Sequence, residues 1–199
     1  MTKTAFVVLQ DADTPPALPG ICTVSKDLQK PGWDHGGYYL GVEAAKKGAL
    51  WVDRPYFVGN PSVEWMVAEA ERIISAGGYC QVGNEQNHPD EGWVGGFTAY
   101  QEFYTAVRGR VSDPARLLFS PPSPGFDGWS QWLVVGVPHA IHCYGTLTQM
   151  QATVQAALTR TSGDLYVTEV NPGAGNEFNL NVWGPNDLRM FLDWCDWYP

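Results

Sequence analysis

Residues 80–89 read CQVGNEQNHP, an apolar run that stops in Asn84, Glu85, Gln86 and Asn87 just before a proline. A strand that carries a carboxylate at its own tip presents it to something, because a buried unpaired charge is costly. The bland alternative is that Glu85 ends its strand in solvent. The choice turns on whether other polar residues gather at the same end of the fold.

The pattern of an apolar run followed by a polar loop recurs along the chain. AFVVLQ, ALWVDRPYF, YCQVGNE, RLLFSP, HAIHCYG and LYVTEVN read as strands, and GICTVS as a doubtful one. Helical patterns lie between them. PSVEWMVAEAERIISAGG opens at a proline, repeats apolar residues every three or four positions and closes at a glycine pair. FTAYQEFYTAVRGRV, TLTQMQATVQAAL and GPNDLRMFLDWC read the same way. Alternating strands and helices imply parallel β-α units.

The long Gly-, Pro- and Trp-bearing loops all follow strand C-termini, the face on which (β/α)8 barrels build their sites. The fold expected is α/β, a TIM-barrel-like single domain over 1–199. It is short, with about six or seven clear strands and strand eight missing or irregular. At roughly 31 residues per barrel unit, Glu85 and Glu169 stand close to three units apart and His142 and Glu169 close to one. Without strand eight a sheet edge is left open, so the chain is expected to be a monomer or a homodimer.

Composition narrows the partners. A net charge of −9 with only 12 Lys and Arg excludes a phosphate-tracking surface, so no nucleic acid is expected. MTKTAFVVLQDAD holds one lysine and a five-residue apolar stretch, too short for a signal-peptide core or a membrane span. No membrane partner is expected, and the location is open between the cytoplasm and release by lysis. Cys22, Cys80, Cys143 and Cys195 lack CxxC spacing and read as reduced thiols. Nine Trp and nine Tyr are many for a chain with 17% charged residues. Trp93, Trp129 and Trp183 lie in loops, where flat rings suit the C–H faces of sugars or pin their own loop.

Three strand ends converge. One finishes in Asn84-Glu85, another carries His142 and Tyr144 two residues apart on one face, and a third finishes in Thr168-Glu169. Two facing carboxyls are what retaining glycoside hydrolysis requires. One protonates the leaving oxygen and benefits from a raised pKa, while the other stays ionised to attack the anomeric carbon. A Tyr hydroxyl and a His N–H beside Glu169 would hold it charged and oriented.

On GNEQN, IHCYG and YVTEVN the sequence resembles glycoside hydrolase clan A, the retaining (β/α)8-barrel glycosidases. The resemblance implies Glu85 as acid/base, Glu169 as nucleophile, and Asn84 on the sugar 2-hydroxyl. It also implies Tyr144 against the nucleophile, His142 in the site wall and Arg54 as a supporting cation. Gln86 departs from the proline usual in that motif. The activity implied is hydrolysis of a β-linked poly- or oligosaccharide, with no cofactor and no metal. A metal site on Glu85 and His88 lacks a third ligand. The alternatives are a non-catalytic carbohydrate-binding barrel and a phage-type cell-wall lysin acting on peptidoglycan.

Overall fold

The structure, a computed structural model, describes residues 23–25, 42, 46, 50–55, 57, 59–89, 92–126, 128–171, 190, 191 and 194. Within them six parallel strands run in chain order: β1 (Thr23–Ser25), β2 (Trp51–Asp53), β3 (Tyr79–Gln81), β4 (Leu117–Leu118), β5 (His139–Tyr144) and β6 (Leu165–Asn171). The first four form one sheet and the last two a second. A single parallel bridge, Phe119 with His139, joins β4 to β5. Three helices are described over their whole length, α1 (Val63–Ser75), α2 (Gly96–Arg108) and α3 (Leu147–Arg160), with 3-10 turns at Pro114–Arg116 and Trp129–Trp132.

The expected (β/α)8 barrel is overturned. Among the described residues the strands form a four-stranded and a two-stranded parallel sheet, and no barrel closes. The apolar runs yield much shorter ladders than they promised. Among the described residues of ALWVDRPYF only Trp51–Asp53 pairs, because Pro55 has no N–H and biases the residue before it. In YCQVGNE the ladder stops at Gln81, since Gly83 (φ +87°) and Glu85 (φ +43°) leave the extended region. RLLFSP pairs with β3 only through Leu117–Leu118, and Phe119 adds the one bridge to His139 before a run of prolines. The β4–β5 connection, rich in Pro and Gly, holds only the 3-10 turn at Trp129–Trp132 where a barrel unit has a helix. GICTVS does supply a strand, at Thr23–Ser25. AFVVLQ lies outside the described residues, as does all of GPNDLRMFLDWC except Met190, Phe191 and Trp194.

The helices form where the spacing predicts them, and two of the three entries have a side-chain cap. Ser62 caps α1 by accepting the Trp65 N–H, so the serine sets the start rather than the proline before it. Thr146 and Gln149 make a reciprocal capping box at α3. The buried stripes are Met66, Ala70, Ile73 and Ile74 on α1, Tyr100, Phe103, Tyr104 and Val107 on α2, and Met150, Val154 and Ala157 on α3. Each recurs at three or four residues, one face of a helix.

These stripes build two cores. The α1 and α2 stripes pack with Trp51, Cys80, Val82, Leu117 and Phe119, and the α3 stripe packs with Ile141, Cys143, Leu165, Val167 and Phe191. A fully buried Leu, Ile or Phe contributes roughly 1.5–3 kcal/mol, so the cores dominate the fold's stability. A third cluster, Val52, Leu118, Ala140 and Tyr166, lies on the opposite face of the strands. Strand side chains alternate, so His142 and Tyr144 share this face with Ala140. Toward the strand C-termini the face therefore turns from apolar to polar. Cys80 and Cys143 are buried, and no helix among the described residues is long and apolar enough to cross a membrane.

Candidate active site

Four of the sequence-predicted residues meet at that polar end. Tyr144 Oη lies 2.6 Å from Glu85 Oε1, 2.9 Å from Glu169 Oε1 and 2.8 Å from His142 Nδ1. His142 Nδ1 is also 2.8 Å from Glu85 Oε1, while its Nε2 is 3.8 Å from Glu169 Oε2. Neighbouring strands sit about 4.8 Å apart, so in a flat array the ends of β3 and β6, three positions apart, would be separated by about 14 Å. Carboxylates from both ends contact one hydroxyl, which requires the array to curl toward this face.

Glu169 reaches the cluster through a β-bulge. The register runs Ile141 with Val167 and then His142 with Glu169, so Thr168 is the extra residue. Plain alternation from Tyr166, which faces inward, would turn Glu169 toward α3. One inserted residue re-aims it inward, a recurrent use of bulges beside functional sites. Thr168 itself is buried, and its hydroxyl has no hydrogen-bond partner among the described residues.

Glu85 owes its position to a knotted turn. It is the one described non-glycine residue with positive φ, a conformation that costs energy and persists only where its surroundings enforce it. Gly83 has φ +87°, a left-handed conformation that favours glycine, and the Gln86 side-chain amide packs where a Cβ would point. Gln86 Nε2 donates to the Asn84 carbonyl at 3.2 Å, Gln81 Nε2 donates to that of Gly83 at 2.9 Å, and the His88 N–H closes on the Glu85 carbonyl at 2.7 Å. Asn87 then ties the turn to the loop after β4. Its Nδ2 donates to the Ser123 carbonyl at 2.9 Å, and its Oδ1 accepts the Ser123 N–H at 2.6 Å. Beneath them the Tyr100 hydroxyl donates to the Val82 carbonyl at 2.6 Å and accepts the Ser120 N–H at 2.9 Å, joining the ends of β3 and β4 beyond their ladder.

The electrostatics are uneven. Burial pushes the Glu85 carboxyl up, but the His142 hydrogen bond, the His142 charge and the Tyr144 hydrogen bond outweigh it, and the pKa falls below the ordinary glutamate value. This differs from the raised value an acid/base residue was expected to have. Burial, and then the charges of Glu169 and Glu85, push Tyr144 far above the usual phenol range, so it stays a neutral donor. The expectation that His142 and Tyr144 serve Glu169 is corrected in part: Tyr144 reaches both carboxylates, and His142 sits closer to Glu85.

Asn84 is half-buried beside Glu85, and Arg54 is buried just after β2. Trp93 belongs to the core, packed on Tyr100 and Phe103 with centroids 5.3 and 4.5 Å away. Trp129 is half-buried against the α3 core, and Trp183 lies outside the described residues. Sequence reasoning missed the roles of Gln86, Ser123 and Tyr100; the proline-to-glutamine departure at 86 was the one signal available. Among the described residues no cluster of His, Cys, Asp and Glu has an arrangement that would hold a metal ion. Comparison with family models, curated proteins and solved structures finds no match to this chain.

Proposed function

We propose that the protein is a retaining glycoside hydrolase acting on a β-linked glycan through Glu85 and Glu169. The observation that carries the reading is the single Tyr144 hydroxyl within hydrogen-bond distance of both carboxylates. Their nearest oxygens can be no farther apart than those two bonds laid end to end. That limit agrees with the roughly 5–5.5 Å between carboxyls of retaining enzymes, and it leaves no room for the water that inverting enzymes place between a wider pair.

In the first step Glu169 attacks the anomeric carbon while Glu85 gives its proton to the departing oxygen. In the second, Glu85 takes a proton from water as that water displaces Glu169, with net retention. Asn84, next to Glu85 in the sequence, would contact the sugar in this reading. The turn that fixes Glu85 supplies the orientation such chemistry needs. The test is reducing-sugar release from β-glucans, mannans, xylan and peptidoglycan, with Glu85→Gln and Glu169→Gln in parallel. Release that both substitutions remove is the expected result. Absence of release from every glycan by the folded protein would overturn the reading.

A further inference from the structure

The connection from β4 to β5 leaves a space that a helix fills in a regular β-α repeat. Trp132, in the 3-10 turn of that connection, covers the first half of α2, its ring 5.3 Å from Phe97 and 6.2 Å from Tyr100. Beside the second half of α2 lies a cavity of about 260 Å³. Its floor is Phe119, which packs with α2, so the cavity sits on the helix side of the strands, away from Tyr144 and the two carboxylates.

The walls are apolar and fixed. Tyr104, Phe119, Pro114, Val134 and Val137 supply most of them. Tyr104 and Phe119 are buried with centroids 4.8 Å apart, and the Tyr104 hydroxyl donates to the Leu117 carbonyl at 2.7 Å. His139 pins the facing wall: its ring packs 4.8 Å from Phe119, and its Nε2 lies 2.8 Å from the Val134 nitrogen and 3.0 Å from the Val134 oxygen. Burial lowers the His139 pKa to about 4, so it adds no charge there at neutral pH.

Arg108 is the one charged residue of the lining, on the same face of α2 as Gln101, Tyr104 and Thr105. Its charge acts on the Tyr104 hydroxyl, but among the described residues no carboxylate pairs with it, whereas Arg72, Arg110 and Arg116 hold Glu69, Glu64 and Asp113. The Arg108 Nε is buried and has no hydrogen-bond partner among the described residues, a costly state for a cationic donor. An apolar chamber with a single unpaired cation is the usual form of a small-ligand site.

We propose that this cavity binds a small carboxylate with an apolar, ring-sized body, the carboxylate on Arg108 and the body against Tyr104, Phe119, Val134 and Val137. The volume exceeds the roughly 150 Å³ at which an apolar cavity holds benzene, and walls with few polar groups suit water poorly. A phosphate ester would ask for more donors than one arginine supplies. The proposal is independent of the glycosidase reading.

The test is a titration of the folded full chain with 3-phenylpropionate, followed by two-dimensional amide NMR, with the isosteric neutral 3-phenylpropanamide beside it. The acid should give saturable shifts at Thr105, Phe119, Val134 and Val137, and the amide should bind about 10-fold or more weakly, for want of the charge-assisted bond. Arg108→Gln should reduce the acid to the level of the amide, and Val134→Phe, which fills the cavity, should remove both. Arg108 is half-exposed, so its substitution leaves the fold intact and decides the matter even if Val134→Phe does not fold. Absence of saturable shifts, equal binding of acid and amide, or acid binding unchanged in Arg108→Gln overturns the proposal. None of these outcomes involves sugar release, so failure here is distinguishable from failure of the glycosidase reading.

Discussion

His142 Nδ1 and Glu85 Oε1 meet at 2.8 Å with both side chains nearly excluded from water. Glu85 arrives from the turn after β3 and His142 from β5, so the contact joins the two sheets at their C-terminal ends.

That pairing has a consequence for stability against pH. The Glu85 pKa is lowered in the folded state, so its ionised form stabilises the fold above the ordinary glutamate value, about 4.3. The contribution is lost as the pH falls through the lower folded value. His142→Ala should therefore lower the melting temperature more at pH 7 than at pH 3. Thermal melts across that range check it, and a gap independent of pH would contradict the coupling. Where turnover is measured, the same variant should lose on the order of 10- to 10²-fold in kcat through misplacement of Glu85.

Asn87 acts on Glu85 through the turn. Asn87→Ala removes both bonds to Ser123 and should reduce kcat by about 10-fold or more with a smaller change in KM, because the carboxylate is misplaced while the sugar's other contacts remain. Asn87→Asp keeps the acceptor for the Ser123 N–H and should retain part of the rate. Steady-state kinetics on the three proteins separates these outcomes.

Tyr100 is a test confined to the fold. Its fully buried hydroxyl satisfies the Val82 carbonyl and the Ser120 N–H together. Tyr100→Phe keeps the ring packing and orphans both groups, which should cost on the order of 2 kcal/mol in urea unfolding. An unchanged midpoint would show that the ends of β3 and β4 are held by something else.

The site was far more legible in the sequence than the fold that carries it. Asn84-Glu85, His142-x-Tyr144 and Thr168-Glu169 each stood where a strand met a polar loop, and period-two alternation put His142 and Tyr144 on one face. The barrel was misread because an apolar run reports burial and not ladder length. Pro55, Gly83 and the prolines after Phe119 cut three runs to two or three paired residues. The bulge at Thr168 leaves no mark in a strand of ordinary composition, yet it decides which way Glu169 points. Trp93 looked like a loop aromatic, and only tertiary packing reveals it as core, between Tyr100 and Phe103. Ser123 pairs with Asn87 from a Pro-rich loop that has no periodicity to read.

The anomeric configuration of the first sugar released, followed by NMR before mutarotation, tests the two-carboxylate mechanism most directly. Retention is expected, with the signal abolished in Glu169→Gln. Inversion at the anomeric carbon, or release undiminished in Glu169→Gln, would contradict it.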